Sequence, residues 1–255
     1  MGFVVSIAAE DLEQEKVIVR EQAFYVKIGS GASFAQKAHV YAPPAVWDPA
    51  LQGYNSGLGT APIILGGLGW DSPFVAADIT AAYRPNFKYK KFQTPSTGGT
   101  PGQLGEKTRR FDLDISSIML STYFNGRGIR ALNWKTGGYS SVYPFIGGGI
   151  GVSQLTVSNF RSTGLPSIVE PLASFGSENQ YNKSYSFTYQ LMTGLEYRYR
   201  DVCALSVGYR WFSINKFNGP EYIRTSTGDA FDAKNNTWRI NFSANEALIE
   251  FKVFL

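Results

Sequence analysis

The last nineteen residues, 237–255, alternate in polarity as far as the final position. Ala247, Ile249, Phe251, Val253 and Leu255 fall on one face, and Leu248, Glu250, Lys252 and Phe254 on the other. Chain ends fray unless something ties them down, so a terminal strand is ordered only when a sheet accepts it. A final strand that is apolar on one side and charged on the other reads as the closing strand of a β-barrel. The rest of the chain must then supply the wall it closes.

It does. Eight segments carry the period-two alternation of a half-buried strand. The first, residues 22–34, sets Phe24, Val26 and Ile28 against Tyr25, Lys27 and Gly29; the second, 63–70, is glycine-rich and its faces are ambiguous. The third, 74–90, places Val75, Ala77, Ile79, Ala81 and Tyr83 opposite Ala76, Asp78, Thr80, Ala82 and Arg84. The fourth, 107–124, opposes Phe111, Leu113, Ile115, Met119 and Tyr123 to Asp112, Asp114 and Ser116. The fifth is 142–157. The sixth, 185–199, alternates Tyr185, Phe187, Tyr189, Leu191, Leu195, Tyr197 and Tyr199 with Ser186, Thr188, Gln190, Met192, Gly194, Glu196 and Arg198. The seventh pairs Cys203, Leu205, Val207, Tyr209 and Trp211 with Ala204, Ser206, Gly208 and Arg210. In the eighth, Trp238, Ile240 and Phe242 are even-numbered, so the phase slips near 243–246 and a β-bulge is expected there.

Short connections, Asp71-Ser72-Pro73 and Arg200-Asp201, alternate with long ones at 36–60, 92–106, 159–182 and 216–236. Short turns on one rim and long loops on the other are the pattern of transmembrane barrels. Residues 125–139 break it, and read as an elaborated periplasmic turn with helical potential.

Alternation alone does not say which face is outside, and a soluble eight-stranded barrel puts the apolar face within. Three features favour the inverse. The polar face is mostly Gly, Ala, Ser and Thr, small enough for a narrow lumen. Its charges balance, with Lys27, Arg84, Arg198, Arg210 and Lys252 against Asp78, Asp112, Asp114, Glu196 and Glu250; buried charge is tolerable only when paired. Tyr83, Tyr123, Tyr185, Tyr199 and Trp211 sit near strand ends on the apolar face, as interfacial girdles do. Charged residues are only 17% of the chain and aromatics 15%. No run of about twenty apolar residues is present for a membrane helix. The fold expected is therefore all-β, an eight-stranded antiparallel up-and-down transmembrane barrel with four long extracellular loops, spanning 22–255. Residues 1–21 are an N-terminal extension, a signal-peptide remnant or periplasmic segment, and the expected address is the outer membrane.

The run Tyr143-Pro144-Phe145-Ile146-Gly147-Gly148-Gly149-Ile150-Gly151, then Gly194-Leu195-Glu196-Tyr197-Arg198-Tyr199, then Leu205-Ser206-Val207-Gly208-Tyr209-Arg210-Trp211 resembles the eight-stranded outer-membrane barrels of Gram-negative bacteria. These are the OmpA-, OmpX- and OmpW-like and opacity-type surface proteins. The resemblance covers about 22–255 and is specific for fold more than for activity. It implies lipopolysaccharide and outer-membrane lipid as surroundings, the barrel-assembly machinery as a partner, and adhesion, surface recognition or envelope integrity as a role. A narrow channel for small hydrophobic or ionic solutes is the alternative it implies, with a lipid A-modifying enzyme third. The family usually ends in an aromatic residue; here Leu255 is last and Phe254 has the other parity, which weakens the assembly signal.

Catalytic and metal chemistry finds little footing. The single His39 has no Ser two residues away, as nucleophilic activation on one strand would need. Asp71-Ser72 belongs to a turn on the opposite rim from His39. One Cys (Cys203) excludes an internal disulfide, and one His excludes a multi-histidine metal site. Gly147 to Gly151 lacks the following Lys-Ser/Thr and helix of a phosphate loop. Asp229 and Asp232 beside Gly228 match no calcium loop. A net charge of +4 with dispersed Lys and Arg gives no nucleic-acid footprint. No cofactor is expected. The ten inward charges read as a salt-bridged plug. Tyr41, Trp47, Tyr54, Phe160, Phe175, Tyr181, Phe217, Tyr222 and Phe231 lie on polar loops, where exposed aromatics suit contact with a host or cell-surface protein or glycan.

Overall fold

A strand in hydrocarbon has no water for its N–H and C=O groups, so a spanning sheet must close on itself. The computed structural model, which describes residues 23–36, 39–41, 58–93, 107–163, 174–175, 181–218, 222–224, 230–232 and 239–255, shows that closure. The wall strands are β1 (Ala23–Ala35), β2 (Thr60–Asp71), β3 (Val75–Gln93), β4 (Lys107–Asn125), β5 (Ser140–Thr163), β6 (Tyr181–Tyr199), β7 (Cys203–Asn218) and β8 (Arg239–Phe254). Each pairs antiparallel with its sequence neighbour, and β1 pairs with β8 from Tyr25–Phe254 to Ala35–Ala244. The protein is an all-β, closed, eight-stranded transmembrane barrel.

The stagger of the wall can be read from the register. Cross-strand partners run from Trp70 on β2 through Ala77, Thr122, Gly148, Leu191, Trp211, Asn245 and Phe34, and return to β2 at Thr60. The circuit thus gains ten residues, from 70 to 60. With a rise of about 3.3 Å per residue and strands about 4.8 Å apart, this shear tilts the strands by about 40°. Phe24 and Phe34, both exposed, are then about 25 Å apart along the membrane normal, the height of a barrel's hydrocarbon band. Within that band the outer wall is apolar: Leu68, Ile79, Ile118, Leu120, Ile150, Leu191, Val207 and Ile249 all stand exposed.

Toward the long-loop rim the polarity of the wall inverts. On β5 the outward series changes from Ile150 and Val152 to Gln154 and Thr156, while inward Ser153 gives way to buried Leu155 and Val157. On β4, Ile118 and Leu120 face out within the hydrocarbon band and Asp112 and Asp114 face out above them, while Phe111, Leu113, Ile115, Met119 and Tyr123 are buried inside. This corrects the fourth-segment expectation. Asp112 and Asp114 are not interior charges, and Tyr123 is not part of a girdle. The physical reason is a change of solvent. Above the hydrocarbon the outer face meets water, so apolar residues gain by turning in.

The same inversion removes the phase slip expected in the last strand. Phe242, Ala244, Glu246, Leu248 and Phe254 all face in, with even parity throughout. The irregularity lies instead in β7, between Ile214 and Lys216. A second bulge, between Arg84 and Phe87 on β3, holds Asn86 at φ 64 and swings Phe87 and Tyr89 inward. The resulting rim core includes Phe87 edge-on to Phe242 at 5.2 Å and Tyr89 stacked on Phe111 at 4.5 Å.

The other rim is built from tight connections. Arg200 and Asp201 both have positive φ, and the Val202 amide donates to the Tyr199 carbonyl at 3.1 Å, a tight turn between paired Tyr199 and Cys203. Ser72 Oγ donates to the Val75 carbonyl at 2.7 Å. The long turn after β4 contains a single 3-10 turn, Gly126–Gly128, capped by Asn125, then a short strand, Trp134–Gly137, folded back on β5. It lengthens the turn without altering the strand count. Within the expected 36–60 loop, His39–Tyr41 forms a short strand on β8; the extension 1–21, Gln22 and most other loop residues lie outside the described residues. Three short strands above the barrel, Ser174–Phe175, Tyr222–Arg224 and Ala230–Asp232, form a separate sheet.

Placing a cation in the outer band tests this assignment of faces. Leu120→Arg, near mid-height and lipid-facing, is expected to cost about 2–4 kcal/mol in equilibrium unfolding from bilayers. A loss below about 0.5 kcal/mol would contradict the placement of the band.

Candidate functional site

With eight strands the lumen is narrow enough for side chains to fill, and here they fill it in layers. At the short-turn rim Asp71 accepts from Arg198 at 2.5 Å and Asn125 at 3.2 Å, and pairs with Arg127 at 3.2 Å. Arg198 also donates to Asp201 at 2.6 Å and lies 3.7 Å over the Phe254 ring. One layer in, Glu196 takes Lys252 at 2.5 Å and the Tyr143 hydroxyl at 2.6 Å. Next, Lys27 sits between Asp78 at 2.7 Å and Glu250 at 3.3 Å, and donates to the Tyr123 hydroxyl at 3.3 Å. Tyr25 and Thr80 donate to the same Asp78 at 3.0 and 2.9 Å.

Glycines in the wall make room for these layers. A Cβ on Gly69 would overlap the Tyr25 ring, and one on Gly147 would press on the Tyr123 ring at 2.7 Å. Gly147 to Gly151 is thus a paired wall segment and has no phosphate-loop geometry.

Beneath the rim core, Glu246 is clasped by two guanidiniums. Arg84 Nε and Arg210 Nε each donate at 2.5 Å, Ser33 adds a hydroxyl at 2.8 Å, and Arg84 bonds Ser117 at 2.9 Å. Phe212 covers Arg84 with its ring centre at 3.7 Å. Between this cluster and the Lys27 layer the interior is neutral, with Gln190 donating to Ser121 at 2.9 Å; level with the cluster, Thr188 donates to Ser153 at 2.7 Å. A cavity of about 20 Å³ lies beside Ser206, Glu250 and Lys252, room for roughly one water.

Of the ten charges expected inside, Lys27, Asp78, Arg84, Glu196, Arg198, Arg210, Glu250 and Lys252 line this interior. Asp112 and Asp114 do not: Asp112 accepts from Asn159 at 2.7 Å and Asp114 from the Asn86 amide at 2.6 Å, both on the outer wall. The missing acids are Glu246, Asp71 and Asp201, and a sixth cation is Arg127. Straight parity from Glu250 back through Leu248 would have found Glu246. Asp71, Arg127 and Asp201 sit in or beside turns, where alternation carries no information.

The sequence-selected loop aromatics are less fully placed. Trp47 and Tyr54 lie outside the described residues, and Tyr41, Phe160, Phe175, Tyr181, Phe217, Tyr222 and Phe231 are described by backbone only. Register nevertheless sorts three of them. Ile223 pairs with both Phe231 and Phe175, so these occupy one cross-strand row, whereas Tyr222 pairs with Asp232 in the next. His39 pairs with Asn241 at the long-loop rim, a full barrel height from Asp71 and Ser72. Asp229 lies outside the described residues, and among those described no cluster of three His, Cys, Asp or Glu is placed to hold a metal.

The doubly clasped carboxylate is the critical interior contact. Removing one partner of a buried ion pair leaves charge uncompensated at about 3–5 kcal/mol. Glu246→Gln is therefore expected to lower the unfolding free energy by about that amount. Asp114→Asn, on the outer wall, should stay within about 0.5 kcal/mol. Urea titration of the heat-modifiable folded band measures both.

No protein-family model matches the chain, and no curated protein matches it. Solved structures similar to it include neisserial surface protein A (NspA), at 14% identity and TM-score 0.45 over 91% of this chain and 97% of that one. The outer membrane protein OprG from Pseudomonas aeruginosa has 11% identity and TM-score 0.44 over 91% and 96%. Ail, the attachment invasion locus protein of Yersinia pestis, has 10% identity and TM-score 0.31 over 89% and 99%.

Proposed function

We propose that this protein is a non-enzymatic, non-conducting surface protein of the Gram-negative outer membrane, a rigid barrel that holds its long loops up for adhesion or recognition. The observation that carries the reading is the doubly sealed lumen. Paired charges fill it from the short-turn rim to mid-height, and an apolar core fills it at the loop end. A solute path would have to disrupt both, and buried charge pairs and packed aromatics resist that for different reasons.

The rim core also suits a display role. Its aromatics brace the strands where they leave the bilayer, so the loops rise from a stiff collar. Backbone register sets Phe175, Ile223 and Phe231 in one row of a small sheet formed by those loops. The partner class is a host or cell-surface protein or glycan. Barrel-assembly machinery and lipopolysaccharide are the partners that insertion itself requires.

Two measurements test the proposal. Refolded protein in planar bilayers should show no steady, salt-dependent conductance; a stable conductance would overturn the sealed reading. Deleting 42–57 together with 225–229 should reduce adhesion of expressing cells to host cells or glycan arrays at least tenfold while the heat-modifiable band persists. Unchanged adhesion by a folded deletion variant would overturn the display role.

A further inference from the structure

The outer wall is not evenly filled. Across β2 to β6, at the long-loop half of the hydrocarbon band, lies an open groove of about 650 Å³ on the lipid-facing wall. Its floor follows the register row Gly66, Ala81, Ile118, Val152. Gly66 and Ala81 leave the deep end open, since they present no bulk between flanking Ile64 and Ile118.

Because the strands tilt by about 40°, a row across them climbs through the membrane as it passes from β2 to β6. Four strand spacings of about 4.8 Å make the groove about 19 Å long. Its deep end, at Gly66, is near mid-bilayer, and its high end reaches the interface. The chemistry changes along the climb. The next row up ends in Ser116, Gln154 and Tyr185, with Gln154 Nε2 donating to the Tyr185 hydroxyl at 2.5 Å. Exposed Lys183 stands two residues above Tyr185 on the same face. Asp114 lies on the neighbouring wall at that height.

From this gradient we infer that the groove binds one acyl chain of an outer-leaflet glycolipid, lipopolysaccharide, with the chain terminus at Gly66 and the carbonyl end at Gln154 and Tyr185. The groove is continuous with the lipid-facing band, so a lipid chain is what it meets in place. Its orientation, apolar below and hydrogen-bonding above, matches a chain descending from the outer leaflet.

The site can be filled without touching the interior. A Cβ on Gly66 meets only the Lys27 carbonyl oxygen, at 3.7 Å, an ordinary contact. The experiment is native mass spectrometry of the refolded full chain from mixed micelles, with hexa-acylated lipid A and phosphatidylglycerol as separate probes. Wild type should retain one lipid A, and Ala81→Phe and Gly66→Leu should each lower retention at least tenfold. Ala247→Leu, equally outward on β8, should leave it unchanged, and the heat-modifiable band identifies the folded variants. Undiminished retention by folded Ala81→Phe would overturn the site. Equal retention of phosphatidylglycerol would overturn the assignment to the glycolipid. A dimer in light scattering that Ala81→Phe dissolves would assign the groove to a second copy of the chain and overturn the lipid.

Discussion

Everything in this protein follows from one ladder of backbone hydrogen bonds that has no end. Hydrocarbon offers no partner to an open strand edge, so β8 must return to β1, and the register of that return fixes the geometry. A displacement of ten residues around eight strands sets the tilt, and the tilt sets both the height of the apolar band and the bore of the lumen. The bore in turn dictates the side chains. Glycine lines the wall where Tyr25 and Tyr123 press inward, and charges enter only as bonded sets.

The barrel is two solvents' solution to one wall. In the lower part the surroundings are lipid, so apolar side chains point out and polar ones in. In the upper part the surroundings are water and the order reverses. β4 crosses that boundary without a bulge, and its inward series passes from Ser121 and Ser117 to Ile115, Leu113 and Phe111. The rim core is thus an ordinary hydrophobic core standing on a membrane barrel.

That boundary also marks what the sequence could and could not reveal. Strand number, neighbour order and the faces of β1, β3, β6 and β7 were legible because their alternation lies almost wholly within the lipid. The fourth segment misled because its strongest apolar series, Phe111 to Ile115, belongs to the water-surrounded part and carries the opposite meaning. The last strand misled for the same reason: Ile240 and Phe242 looked like a shifted outer face. Glu246 was overlooked in that apparent slip, while Asp71, Arg127 and Asp201 were hidden in turns whose pairing depends on three-dimensional closure. The long turn after β4 was legible as an elaboration, but not as a folded-back strand.

The arrangement of the plug gives the last strand a further office. β8 alone contributes Glu246 to Arg84 and Arg210, Glu250 to Lys27, Lys252 to Glu196, and Phe254 to Arg198. Before it docks, both guanidiniums of the upper cluster lack the only carboxylate that bonds them among the described residues, and Glu196 lacks its ammonium. A sheet of seven strands is therefore both open-edged and electrically unfinished, and a mis-registered eighth strand would leave it so. The final strand works as the toothed blade of a key: backbone pairing admits it to the lock, and only the correct sliding position seats all of its charges at once.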